Sequence, residues 1–138
     1  MKKIFLLFFL VGFTTAFSQT KKTENSIDLS ESKCLNQDAI SNAEMCNCTI
    51  EARELWNKEL NKYYNLLKTK LPKEAFENLK ESQKQWIVYR DKEFAFISKY
   101  YYEVQQGTMW YAAAEGRKKD IVKTRAIELE HYFKMLEF

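Results

Sequence analysis

The residues best suited to chemistry in this chain are polar groups set into apolar stripes. Gln83, Trp86 and Arg90 follow one another three and four residues apart. That spacing places them on one stripe of a helix. Arg125 interrupts a second apolar stripe, between Ile121 and Leu129. A charge in such a seam is costly unless it is paired and hydrogen-bonded. Asn61, beside Leu60 at the edge of a third stripe, offers an acceptor, and Asp91, Glu93 or Glu128 offers a carboxylate. Two readings fit: a polar pocket for a ligand, or an interhelical network that fixes helix register. The reading adopted is a structural network of Asn61, Gln83, Trp86, Arg90 and Arg125.

Other chemistry has little footing. Glu51 and Glu54 pair two carboxylates, but on a helix such a pair is ordinarily a solvated face. A glycoside hydrolase needs its two carboxylates across a cleft. His131 is the single histidine, and no Ser or Cys can be placed beside it from the sequence. It is expected at an exposed or rim position. There is no Gly-rich phosphate loop. Cys34, Cys46 and Cys48 make a poor zinc set, because the Cys-x-Cys spacing is tight and the histidine is distant. No catalytic residue, metal or cofactor is therefore expected, and the chain reads as a non-enzyme.

Aromatic residues are the remaining candidates. Tyr100, Tyr101 and Tyr102 are consecutive, and a helix cannot bury all three on one face. At least one is expected to be exposed or to cover a helix end. Tyr100, Tyr102, Trp110 and Tyr111 are the expected partner-binding surface, since aromatics are enriched at interfaces. The alternative is a wide aromatic core in a thin bundle.

The elements that must position these residues are helices. Three glycines and one proline in 138 residues leave little turn punctuation. Ser41-Asn42-Ala43-Glu44 fits a capping box and predicts a helix from about Ser41. Ala52, Leu55 or Trp56, Leu60, Tyr63, Leu67 and Leu71 follow at helical spacing until Pro72 breaks the run. A second helix is predicted from Pro72 to about Gln105, with Phe76, Leu79, Trp86, Phe94, Ile97, Tyr101 and Val104 on its stripe. Gln106-Gly107-Thr108 is the next break, and residues 108–116 stay unassigned. A third helix is predicted from about Arg117 to Met135, with Ile121, Arg125, Leu129, Tyr132 and Leu136 inward. The expected fold is all-α: an elongated antiparallel bundle of three main helices with a short N-terminal loop before them.

The first residues bear on the compartment. Lys2 and Lys3 precede an apolar run from Ile4, and Ala16-Phe17-Ser18 offers small residues for cleavage before Gln19. This is the layout of a signal peptide over residues 1–18. The run is too short to span a bilayer, and no second one approaches that length. A periplasmic or secreted location is expected, with no transmembrane segment after cleavage. Residues 19–33 are polar, lack periodicity and are read as a flexible leader. The helical domain follows over residues 34–138. Removing Lys2 and Lys3 from 22 basic and 19 acidic residues leaves a net charge of +1, so nucleic acid is not an expected partner. An exported chain can form disulfides, and three cysteines allow at most one intramolecular pair with one thiol left over.

The ordered set Cys34…Ala43-Glu44-Met45…Cys48, Leu60-Asn61, Leu79…Gln83-x-x-Trp86-x-x-x-Arg90-Asp91 and Thr124-Arg125-x-x-x-Leu129 resembles the LprI-like N-terminal domain, a family named for a lysozyme inhibitor. The resemblance covers about residues 34–136. It implies an exported, helical, non-catalytic domain. Family members usually carry a cysteine shortly after the Arg-Asp, where this chain has Phe94, and usually a partner for it near Gly116 or Arg117. Both are absent here. Aligned on Ala43-Glu44-Met45 and Leu60, the surviving pair is Cys34 with Cys48, which leaves Cys46 free. The resulting loop, short and disulfide-tied, would be held onto the first helix. The functional expectation is an envelope protein that binds a protein partner, a lysozyme-type muramidase. Residues 20–55 hold seven acidic against four basic residues, which suits a basic enzyme cleft. The alternative is a structural or assembly protein of the envelope, with oligomerisation through Cys46.

Overall fold

The computed structural model describes residues 25–136, which form four α-helices and one π-helical turn. The segment read as a signal peptide lies outside the described residues. In chain order the helices are α1 (Ser26–Leu35), α2 (Asn42–Lys70), α3 (Lys73–Lys99) and α4 (Met109–Met135). The π-helical turn, Tyr100–Val104, follows α3 directly. Among the described residues there is no strand.

The first boundary of α2 follows from its capping box. Glu44 N–H donates to Ser41 Oγ at 3.2 Å, and Ser41 N–H donates to Glu44 Oε2 at 2.8 Å. Two otherwise orphaned backbone donors are thereby satisfied. The Ser41 contacts also hold the Glu44 carboxyl below its ordinary pKa. The other boundary is Pro72, whose extended φ −54 and ψ 148 separate α2 from α3. At 1.5 Å per residue, α2 is about 43 Å long and α3 and α4 about 40 Å each.

Two expectations at the edges of the bundle are corrected. Part of the stretch read as a flexible leader is helical, since α1 begins at Ser26. The Asn25 side chain caps it by accepting from Ile27 N–H at 2.9 Å. Only Ile27 and Glu31 are buried on it, so there is no apolar period to read. Ion pairs carry the helix instead. Lys123 reaches Asp28 at 2.7 Å and Lys119 reaches Glu31 at 2.7 Å. The second correction is the start of α4. It begins at Met109, not near Arg117, and runs through Gly116 unbroken. A helical glycine costs about 1 kcal/mol, which the good helix formers Ala112, Ala113 and Ala114 beside it offset.

The main helices run up, down and up. Asn42 meets Thr108, Arg53 meets Glu115 and Tyr63 meets Glu130, so α2 and α4 lie side by side and parallel. Between them in sequence, α3 runs antiparallel to both: Phe76 packs on Tyr64, Gln83 on Arg125 and Phe94 under Arg53. The core is the α2–α4 seam, where Ala52, Trp56, Leu60 and Leu67 pack on Val122, Ala126 and Leu129. The α2 stripe is as expected, with Trp56 inside and Leu55 39% exposed. The inner face of α4 differs from expectation. Arg125 and Leu129 are on it, but Tyr132 and Leu136 are each 47% exposed and Ile121 is half-buried. Ala114, Val122 and Ala126 take the inner positions, because small side chains let two long helices approach closely. On α3, Gln83 and Ile97 are buried while Phe76, Leu79, Trp86 and Phe94 are half-buried. This helix is an outer layer laid on the seam, and Val104 beyond it is exposed.

Cys34 at the end of α1 is bonded to Cys48 on α2, with Cα atoms 5.8 Å apart. The tie lies across the 36–41 turn, in which Ala39 takes φ +55. Cys46 is free.

Candidate functional site

The expected polar network exists in part. Arg125 Nε donates to Gln83 Oε1 at 2.9 Å, its Nη1 to Glu128 at 2.6 Å and its Nη2 to Ser82 Oγ at 3.3 Å. Arg125 is 7% exposed and Gln83 8%. Such a guanidinium is tolerated because each direction it points in has an acceptor. Arg90 belongs to a separate group. It stacks over Trp86 at 5.4 Å and pairs with Asp91 at 2.7 Å, toward solvent. Asn61 is not part of any network: it is exposed, and no hydrogen bond involves its side chain among the described residues. One residue past Leu60 is 100° around the helix, which carries Asn61 off the seam.

Trp86 and Arg125, read as scaffolding, also line an open cleft between α3 and α4. Its volume is about 330 Å³, and Tyr89, Arg117, Asp120, Ile121, Thr124 and Glu128 complete its walls. A smaller cleft of about 220 Å³ lies across α3, where Arg90 and Asp91 face Arg53 and Glu54.

The expected aromatic surface sits at one end of the bundle, and the π turn builds it. Gln105 N–H closes the turn by donating to Tyr100 O at 3.0 Å. The wider turn spreads the three tyrosines: Tyr101 is half-buried, while Tyr100 and Tyr102 are exposed. Gly107, at φ +106, then reverses the chain into α4, a conformation that favours glycine. Tyr101 packs on Trp110 at 6.0 Å, and Tyr102 meets Tyr111 edge-on at 4.9 Å. Met109, Val104 and Phe96 extend the surface, each more than 60% exposed. Tyr100, Tyr102 and Tyr111 are therefore accessible together, with Trp110 half-buried behind them.

Beneath this surface is a buried charge cluster absent from the sequence reading. Glu115, 7% exposed, accepts from Arg53, from Tyr102 Oη at 2.6 Å and from Lys118 at 2.9 Å. Burial alone would raise the Glu115 pKa. The bonds from Tyr102 and Lys118 and the charges of Lys118 and Arg53 outweigh it and leave the carboxyl below its ordinary value. Tyr102 is pushed up, first by burial and then by the Glu115 carboxylate. Cys46 lies by the same cluster, and Cys46, Ile50, Tyr102, Tyr111 and Glu115 line a hollow of about 270 Å³. Burial, then the charge of Glu115, raises the Cys46 thiol pKa. The signal for this cluster was the spacing Ala114-Glu115-x-x-Lys118, legible only if α4 is begun at Met109.

No group of acidic, cysteine or histidine side chains among the described residues is arranged to hold a metal ion. No helix among them is long and apolar enough to cross a membrane. His131, Glu51 and Glu54 are all exposed.

The model of the lysozyme inhibitor LprI family matches residues 34–129, more than half of the chain, and the chain belongs to that family. Among solved structures it is similar to an uncharacterized protein from Burkholderia thailandensis, with 28% sequence identity and a TM-score of 0.76. The match covers 83% of this chain and 56% of that one, so the chain spans little over half the length of its structural relative. No curated protein matches it.

Proposed function

We propose that this chain is an exported, non-catalytic protein of the bacterial envelope that binds a lysozyme-type muramidase and blocks it. The observation that carries the reading is the family match over residues 34–129, which spans the helical bundle from the disulfide to the last core leucine. The signal-peptide layout of residues 1–18 supports export to the compartment where such enzymes act. The docking surface proposed is the aromatic end, with Tyr100, Tyr102 and Tyr111 in contact and Trp110 behind them. Tyrosines there are held by ring packing and by Glu115, so little side-chain entropy is lost on binding.

The acidic bias of residues 20–55 supports the reading less than its count implied. Asp28 and Glu31 are paired with Lys123 and Lys119, and Glu44 serves its own helix cap. Attraction to a basic cleft is then left to Glu51 and Asp38, both exposed, since Glu54 lies 3.7 Å from Arg53. Assembly through Cys46 is the weaker alternative, since that thiol is half-buried and its thiolate disfavoured. The test is cell-wall turbidity clearance by c-type and other lysozymes with the purified protein added. Dose-dependent inhibition at micromolar protein is expected. Undiminished clearance by every lysozyme tried would remove the reading.

A further inference from the structure

We propose that the cleft between α3 and α4 is a binding site for a short neutral saccharide. The cleft holds about 330 Å³, at the small end of the range of about 300–1,000 Å³ seen for ligand sites. Its α3 wall is aromatic: Trp86 and Tyr89 are three residues apart and so are neighbours on the helix, and Tyr89 is 50% exposed. Its α4 wall is mixed: Arg117, Asp120, Thr124 and Glu128 stand around the buried Arg125, with Ile121 among them.

A sugar ring presents an apolar C–H face and a rim of hydroxyls that both donate and accept. Aromatic faces flanked by carboxylates and guanidinium groups match that pattern. Two carboxylates against two guanidinium groups leave the cleft close to neutral, which disfavours a phosphate or a simple cation. The four charged side chains at its edge, Arg117, Asp120, Arg125 and Glu128, disfavour an acyl chain, which would leave them without hydrogen-bond partners of its own. Arg125 is also fixed before any ligand arrives, because Gln83, Ser82 and Glu128 hold its guanidinium from three sides. Arg117, by contrast, has no ion pair or hydrogen bond among the described residues and is exposed beside the ring wall. Gln83, Trp86 and Arg125, three of the residues that define the sequence pattern, thus converge on one cleft as its wall or its support. The aromatic end proposed to dock a muramidase is a different surface, so the two proposals stand or fall separately.

The test is a titration of the isotope-labelled full chain with diacetylchitobiose, cellobiose and maltose, followed by amide, indole and guanidinium NMR signals. Saturable shifts at Trp86, Tyr89, Thr124 and Arg125 with millimolar affinity for at least one disaccharide are expected. Tyr89→Ala should weaken that affinity about fivefold, the size of one lost aromatic contact, with the folded spectrum retained. Asp120→Asn, also at an exposed position, should weaken it as well. Absence of saturable shifts with all three sugars, shifts confined to another surface, indifference to both variants, or tighter binding of a tripeptide than of any sugar would each overturn the proposal.

Discussion

Arg125 Nε and Gln83 Oε1 are 2.9 Å apart, and both side chains are more than nine-tenths buried. This bond joins the middle of α3 to the middle of α4. It fixes the register of an outer helix that has few fully buried apolar residues of its own. Gln83→Ala leaves a buried guanidinium short of an acceptor and should destabilise the fold by about 1–3 kcal/mol. Asn61→Ala, on the solvent side, should stay within about 0.5 kcal/mol of wild type. Urea denaturation of the two variants checks both.

The Cys34–Cys48 bond closes a loop with a sequence separation of 14. In the chain-entropy model a loop of about that size is worth roughly 3 kcal/mol. Cys34→Ser should lower the melting temperature under oxidising conditions by several degrees, and reductant should lower that of wild type to match. Cys46→Ser should do neither. A thiol titration of the unfolded, unreduced protein should find one free cysteine; three would refute the pairing.

Glu115 is the charge on which the aromatic end rests. Its folded pKa is lowered, so its contribution to stability is present above the unfolded carboxyl value of about 4.3 and is lost as pH falls through the folded value. Glu130, lowered as its bonds from Lys134 and Tyr63 outweigh burial, acts in the same direction. Unfolding free energy should therefore fall as pH drops below the unfolded carboxyl value and through the lowered folded values. Glu115→Gln should shrink that fall and, by leaving Lys118 without its counter-ion and Arg53 with only the exposed Glu54, destabilise the protein at neutral pH by about 3 kcal/mol. Denaturation curves across the pH range read both effects.

Gly116 lies inside α4, and a methyl group added there meets nothing within 4 Å beyond its chain neighbours and the backbone of its own helix. Gly116→Ala should stabilise the protein by about 0.5–1 kcal/mol through helix propensity alone. Thermal unfolding at fixed pH measures it, and a lowered midpoint would show that α4 does not run straight through this position.

Much of this fold was legible because its boundaries are marked by local chemistry. Ser41 and Glu44 announce α2, Pro72 divides it from α3, and the α2 stripe from Ala52 to Leu71 keeps a helical period. What was missed lacks such marks. Helix α1 is held by Asp28, Glu31 and Cys34, which contact partners far along the chain and leave no apolar rhythm. The first turns of α4 were hidden by Gly116, whose propensity penalty is small beside the packing of Ala114 and Val122. The site was legible in type but not in grouping. Gln83 with Arg125, and the aromatic cluster, came together as their positions implied. Asn61 did not, since its neighbour Leu60 takes the inward direction. Arg53, Glu115 and Lys118 converge from two helices, which no local pattern encodes.

The proposed inhibition of a muramidase rests on contact through the aromatic end. The most direct measurement is calorimetric titration of the purified protein into lysozyme, repeated with the Tyr102→Ala/Tyr111→Ala double variant. The wild type should form a one-to-one complex and the variant should bind at least about tenfold more weakly, the scale of losing interface tyrosines. A wild-type protein that gives no heat of binding with any lysozyme, or a folded double variant that binds as tightly as wild type, would contradict it.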